Sequence, residues 1–474
     1  MKLSASKVLI SVLLLPVLAG FLPGFVSMAH AKKNVKKHFF DNDDKDGYFT
    51  RYNIRDGRRV EHLFVVVVAP KDAPVPIFSP YHPDDPYYQL GCKWDLDLVN
   101  VGPDVWTRTR GTGVVIAVID TGLLYDHEDI RDNVWVNALE RDGIAGVDDD
   151  GDGFVDDMRG WDFVENDNDP LDLRGHGTFV AGIAAATGNN SKGIIGVAPG
   201  AKIMPVRVLD ENGGGTFEAV AAGIRYAAFA GADVINLSLG AFDLDINSYT
   251  LMQDAVDYAR SFGAVVVAAA GNYGGNVDDF SPANLNGVLA IGAVSAWDER
   301  PQFSNFGSDL FLMAPGSQVL SLGSASAHVG FREFDGYYTA SGTSASAPFV
   351  SGAIALILEQ NPGISLQGIR QKLINGAVDL GDPGFDPYYG YGRLDIARTI
   401  AASASASSTA SVSVPVGVSV GGSTPPGGAS LSEILSKNAT IAGQTAERAS
   451  VQNAGAMLMP AIAGHAEPEL FPAH

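Results

Sequence analysis

Five short runs rich in Val, Ile and Ala, separated by stretches with helical spacing, constrain this chain more than any other feature. The runs are Val114 to Ile119, Lys202 to Leu209, Asp233 to Leu239, Ala264 to Ala270 and Val288 to Val294. Helical patterns occupy Thr178 to Ala186, Phe217 to Ala230, Tyr249 to Phe262, Ser344 to Glu359 and Leu366 to Ala377. Apolar runs this short read as strands buried on both faces, and strands joined through helices run parallel. The expectation is an α/β protein with three layers, a central mostly parallel sheet flanked by helices, within residues 81–400. The formal net charge of −22, with no basic stripe, excludes a nucleic-acid partner. The single cysteine, Cys92, excludes an intramolecular disulfide, so an exported chain of this kind needs another staple; calcium is the natural one.

Export is what the first residues suggest. Lys2 and Lys7 precede an uncharged apolar run from Val8 to Val26, and Ala29-His30-Ala31 supplies the small residues a signal peptidase needs. Residues 1–31 therefore read as a signal peptide, and the protein as secreted or periplasmic. Pro16 and Pro23 interrupt the run, which favours cleavage and no stable membrane insertion over a retained anchor. Residues 32–80 read as a propeptide or N-terminal extension, which would make the chain a zymogen; they hold the strand-like run Leu63 to Val68 and a proline-rich linker. Residues 401–474 are rich in Ala and Ser, then in Val, Ser, Gly and Pro, the composition of a flexible low-complexity tail.

Three small-residue motifs carry chemistry. Gly342 and Thr343 precede Ser344 and a long apolar helix; glycine lets a substrate approach the backbone, and the serine meets the positive end of the helix dipole. Alone, such a cluster reads as an ordinary helix cap. Gly175-His176-Gly177-Thr178 opens another small-residue helix, where a neutral imidazole can reach a serine hydroxyl. Val118-Ile119-Asp120-Thr121-Gly122 sets a carboxylate at a strand end, where α/β folds hold their active sites. Taken together, in the order Asp, His, Ser, they match a nucleophile–base–orienter triad of the subtilisin type.

On these segments the chain resembles the subtilase family, peptidase S8, from about Asp85 to Ile400. It is similar to the thermitase-like branch through Asp84-Asp85-Pro86-Tyr87 and Trp161-Asp162-Phe163. The resemblance implies a subtilisin-like fold and a monomeric serine endopeptidase acting on protein or peptide substrates through an acyl-enzyme. Ser344 is then the nucleophile, His176 the base, Asp120 its orienting acid, and Asn272 a side-chain donor to the oxyanion. Ser238, Leu239 and Gly240 would bind peptide as an added strand, with Gly213, Gly214 and Gly215 on its other edge. Phe280 falls near the base of the specificity pocket, either narrowing it or packing in the core. Phe179 stands where many relatives carry histidine, and the segment before Asp85 does not resemble the family's usual inhibitory prodomain. A catalytically silent scaffold is the rival reading; the presence of Asp120, His176, Asn272 and Ser344 together argues against it.

The resemblance also implies structural calcium, which takes six to eight oxygen ligands. The family's tight site maps to the side chains of Asp85, Asp129 and Asn190 and the carbonyls of Gly188, Lys192 and Ile194. A second site, like that of thermitase-like enzymes, maps to Asp162, Asp167 and Asp169, for which a solvated acidic loop is the alternative. A third candidate comes from spacing: Asp148, Asp150 and Asp152 with Gly153 follow the start of an EF-hand loop, but Arg159 stands where the closing glutamate belongs. Asn42, Asp44 and Asp46 make a similar partial loop near the N-terminus.

Overall fold

A computed structural model describes residues 81–402 apart from 243–244, 324–332 and 335, together with the short strands Tyr52–Asp56, Arg59–Leu63 and Met459–Pro460. The chain divides into two units, Met1–Ile77 and Phe78–His474. In the first, Tyr52–Asp56 and Arg59–Leu63 form an antiparallel hairpin. Residues 64–68 of the anticipated strand run, the signal-peptide candidate and the partial loop at Asn42, Asp44 and Asp46 lie outside the described residues.

The second unit is built on a seven-stranded sheet. In chain order its strands are β1 (Val115–Asp120), β2 (Trp161–Asp162), β3 (Lys202–Arg207), β4 (Val234–Leu237), β5 (Val265–Ala269), β6 (Leu289–Val294) and β7 (Leu310–Pro315). They lie side by side as β2-β3-β1-β4-β5-β6-β7, and every pair is parallel. The five interior strands match the apolar runs of the sequence to within about two residues. Both edge strands escape a search for such runs: β2 has two residues, and β7 ends in Pro315.

Strand periodicity sorts β1 between two cores. Ile116 and Val118 face one, shared with α1 (His176–Ala185) and α4 (Thr343–Gln360); Ala117 and Ile119 face the other, shared with α2 (Phe217–Phe229) and α3 (Ile246–Ser261). The helix ends differ in a telling way. Thr216 caps α2 by accepting from the Ala219 N–H, and Asp245 caps α3 likewise. By contrast α1 and α4 start after Gly175 (φ 98°) and Gly342 (φ 156°) with no side-chain cap. Only glycine adopts these backbone angles readily, and it leaves the first amides of both helices without a competing side chain.

Strand order fixes where those open ends lie. The chain leaves β1 for β3 on one side and returns to β4 on the other, so the C-terminal edge of β1 is a topological switch point. Beyond β4, Leu239–Phe242 forms a separate strand, paired antiparallel with Phe280–Ser281 on one side and with Met459–Pro460 on the other. The sequence reads the C-terminal tail as a linker without structure, and this short strand departs from that. Among the described residues no helix is long and apolar enough to cross a membrane.

Close packing holds α1 against β1. A Cβ on Gly177 would stand 2.2 Å from the Gly122 carbonyl oxygen and 3.2 Å from Asp120 Cβ. Gly177→Ala is expected to destabilise the fold by about 1–3 kcal/mol, the usual cost of overpacking, read as a lower denaturation midpoint at unchanged m-value. A neutral substitution would mean that α1 is free to slide away from β1.

Candidate active site

Asp120 ends β1, and His176 opens α1 beside it. Both are fully buried, and His176 Nδ1 lies 2.6 Å from Asp120 Oδ1. A carboxylate only accepts, so Nδ1 carries the proton and Nε2 the lone pair. The same Oδ1 accepts from the Thr121 N–H at 2.7 Å. Asp172, which nothing in the sequence singled out, organises both loops. It accepts from the Thr121 and Thr178 hydroxyls and from the N–H groups of Arg174, Gly175 and Thr178, all within 3.0 Å. Burial pushes its carboxyl up, while these donors pull it back down. Thr121 Oγ1 in turn accepts from the Gly177 N–H, so one buried acid ties the strand end of Asp120 to the helix start of His176. It sits four residues before His176, yet a lone Asp in a loop gives no signal that five donors will converge on it.

Ser344 lies in the first turn of α4, one strand across. Val118 pairs with Asn236, which sets Asp120 level with Ser238 just past β4. Pro348 lacks an N–H and so cannot bond the Ser344 carbonyl in the usual helical way. The Ser238 hydroxyl fills that vacancy at 3.0 Å, and the Ser344 hydroxyl donates back to the Ser238 carbonyl, also at 3.0 Å. This differs from the expected Ser344–His176 hydrogen bond. The serine proton satisfies a strand-end carbonyl instead, and His176 Nε2 is buried without a partner. Catalytic hydrogen bonds of ligand-free sites are often unformed and close on the substrate.

Asn272 follows β5, the next strand along. Its Oδ1 accepts from the N–H and the hydroxyl of Thr343, which aims the amide Nδ2 away from that partner and leaves it buried and unbonded. Asp120, Ser238 and Asn272 thus stand at the C-terminal ends of three neighbouring strands, with two unbonded polar atoms near Ser344. Gly213, Gly214 and Gly215 form a tight loop after β3, closed by the Gly214 carbonyl accepting from the Asp210 N–H and by a Leu209–Gly215 bridge. Phe280 is buried, edge-on to Phe242. Its ring lies 2.4 Å from where a Cβ on Gly240 would stand and 3.0 Å from one on Gly271. It both packs in the core and occupies the space between the strand of Gly240 and the turn leading to Asn272.

The three acidic groups part ways. Asp85 and Asp129 are fully buried, and the loop that carries Gly188, Asn190, Lys192 and Ile194 closes on them. Asp85 accepts from the Asn189 N–H at 2.9 Å, and Asp129 from the Asn190 amide at 2.7 Å and the Ile194 N–H at 2.8 Å. Burial pushes Asp85 up to about 6, and burial with the charges of Asp85 and Glu128 pushes Asp129 up to about 7. Among the described residues no Lys or Arg pairs with either acid. Two buried acids beside amide and carbonyl oxygens, with no protein cation, fit a hard divalent ion.

Asp162, Asp167 and Asp169 do not converge. Asp162 is buried against Arg207 of β3, which it meets in an ion pair, while its other oxygen accepts from Val164 and Glu165; Asp169 accepts from the Tyr125 hydroxyl at 2.6 Å. With its charge met by a guanidinium, Asp162 is a strut of the β2–β3 edge. Of the third group, Asp148 and Asp150 do converge, but with Glu140 from the short helix Ala138–Asp142. Asp152 turns inward to accept from the Phe154 N–H at 2.8 Å, and burial pushes it up to about 8. Neither Arg207 nor Glu140 lies close in sequence to the acid it meets.

Comparison with known proteins agrees with this geometry. Residues 111–392 match the model of the subtilase family. The chain is 42% identical over 315 residues to a thermophilic serine proteinase of Bacillus sp. strain AK1, covering 66% of this chain and 68% of that one. It is 37% identical over 320 residues to thermitase of Thermoactinomyces vulgaris, covering 68% and 99%. Among solved structures, a protease of Pseudoalteromonas arctica superposes with a TM-score of 0.53 at 32% identity, over 69% of this chain and all of that one. The strand order, the sheet edge that gathers Asp120, His176 and Ser344, and these likenesses lead to one conclusion: the chain belongs to the subtilase family, in its thermitase branch, and is a serine endopeptidase.

Proposed function

We propose that this chain is an exported, calcium-stabilised endopeptidase in which Ser344, His176 and Asp120 act as the triad and Asn272 completes the oxyanion hole. The observation that carries the assignment is the buried His176–Asp120 pair whose Nε2 is left without a partner at the sheet edge shared with Ser344. An incoming peptide N–H takes the Ser238 carbonyl, which frees the Ser344 hydroxyl to turn to Nε2. The oxygen attacks the scissile carbonyl carbon as His176 takes its proton, and the oxyanion is met by Asn272 Nδ2 and the Ser344 N–H, one of the uncapped amides of α4. The imidazolium, held by Asp120, gives its proton to the leaving amine; water then repeats the sequence on the acyl-enzyme. Asn272→Ala is expected to lower kcat far more than it raises KM, because the donor meets charge that exists only in the transition state.

Phe280 sets the substrate preference. Its ring fills the space between Gly240 and Gly271, which leaves room for a small side chain at the residue preceding the cut. Export is supported by the N-terminal pattern and by likeness to a relative named as an extracellular protease, from Natrialba magadii. Calcium held by Asp85, Asp129, Asn190 and the carbonyls of Gly188, Lys192 and Ile194 would tie the loop after α1 to the start of the domain.

Three outcomes test this. Ser344→Ala should abolish casein hydrolysis and labelling by phenylmethylsulfonyl fluoride at an unchanged melting temperature; equal hydrolysis by both proteins removes the triad assignment. Peptides with Ala before the cut should exceed those with Phe in kcat/KM by about tenfold or more, and Phe280→Gly should reverse the order. The third concerns calcium. Asp85 and Asp129 titrate in the fold near 6 and 7, above the ordinary carboxylate value of about 4. The metal-free fold therefore binds more protons than the unfolded chain across about pH 4–7, and its stability falls as pH rises through that window. Calcium needs both acids ionised. A chelator should then depress the melting temperature more at pH 8 than at pH 5, and Asp129→Asn should erase the difference; an equal drop at both pH values contradicts the site.

A further inference from the structure

The strand Met459–Pro460 comes from the tail, far along the chain from the end of the catalytic core at Ala402. It lies antiparallel on Leu239–Phe242, with Met459 opposite Gly240 and Pro460 opposite Leu239. The other side of Leu239–Phe242 is already taken by Phe280–Ser281, so the tail uses the one remaining edge. That edge belongs to the segment assigned above to main-chain binding of substrate.

The register is that of a peptide about to be cut. Antiparallel ladders alternate pairs that exchange N–H···O bonds with pairs that do not. Proline has no N–H, so Pro460 suits a non-bonded position opposite Leu239, and the bonded positions are those opposite Gly240 and Ser238. A peptide continuing in this register sets its next residue opposite Ser238, whose carbonyl accepts the Ser344 hydroxyl at 3.0 Å. The next residue in the sequence is Ala461, and its methyl side chain suits the space beside the Phe280 ring.

We propose that Leu458–Ile462 is a substrate of the chain's own active site, and that the protein cleaves itself between Ala461 and Ile462. The inference rests on the peptidase reading above. Ser344 Oγ adds to the Ala461 carbonyl carbon, and its proton passes through His176 to the Ile462 nitrogen as the Ala461–Ile462 bond breaks. Ile462–His474 leaves with a free amine, and one water hydrolyses the Ser344 ester to give an Ala461 carboxylate. The tether raises the local concentration of this segment at the site, so it competes with external peptides until it is cut. Removing the distal segment also frees the edge of Leu239–Phe242 for other substrates.

The test uses the full chain, its Ser344→Ala variant and a synthetic peptide of sequence Ala456–Glu467, with casein as an independent substrate. Mass spectrometry should find fragments beginning at Ile462 from the wild-type chain and an intact His474 terminus in Ser344→Ala. The peptide should be cut at the same bond by the purified wild type. Ala461→Trp, too large for the space beside Phe280, should abolish this cut in the full chain. Casein hydrolysis with the Ala461–Ile462 bond intact in both chain and peptide overturns the proposal and leaves the peptidase reading standing. Failure of the folded wild type on casein and peptide alike removes that reading, and the proposal with it. Cleavage of the bond in purified Ser344→Ala assigns it to another mechanism and also overturns the proposal.

Discussion

Burying a carboxylate and an imidazole together is the constraint from which the catalytic half of this structure follows. Asp120 and His176 meet at 2.6 Å with no exposure to solvent, and a charge taken out of water is costly unless its partners are fixed. The chain supplies those partners in layers. The Thr121 N–H shares the accepting oxygen, Asp172 gathers the donors of both loops, and Gly177 and Gly122 allow α1 to sit against β1 with no side chain between. The site is held by main-chain amides and small hydroxyls, groups that lose little rotamer freedom on ordering.

The same economy runs along the rest of the sheet edge. Pro348 removes one helical hydrogen bond, and Ser238 replaces it while its own carbonyl holds the nucleophile's hydroxyl. Substrate backbone and Ser344 therefore compete for one acceptor, which couples peptide binding to release of the attacking oxygen. The acidic surroundings divide by what neutralises them. Asp162 has Arg207, Asp172 has its five donors, and Asp85 with Asp129 lacks any described protein cation. In a chain with one cysteine, exposed at Cys92, ions rather than disulfides are the available cross-links.

Much of this was legible beforehand. Interior strands of a parallel sheet are buried on both faces, so their apolar runs are continuous and their positions readable; β2 and β7 lie at the edges, where that signal fades. The triad motifs are local, each a small-residue turn at an element end, and each fell where the fold places a strand or helix terminus. Partnerships between distant loops left no such trace. Glu140 joining Asp148 and Asp150, Asp152 turning inward, Arg207 claiming Asp162 and Asp172 serving both catalytic loops all depend on which segments the sheet brings side by side.

The sequence by itself determined the alternation of strand and helix, the glycines that leave α1 and α4 uncapped, and the residue types able to perform acyl transfer, because these rest on local backbone geometry and periodicity. Only the tertiary structure decided that Phe280 fills the gap between Gly240 and Gly271, that the Ser344 hydroxyl rests on Ser238, and that Met459–Pro460 takes the free edge beside them. Those are contacts across hundreds of residues, and they exist because β1, β4 and β5 lie next to one another in the sheet, an adjacency that no stretch of chain encodes alone.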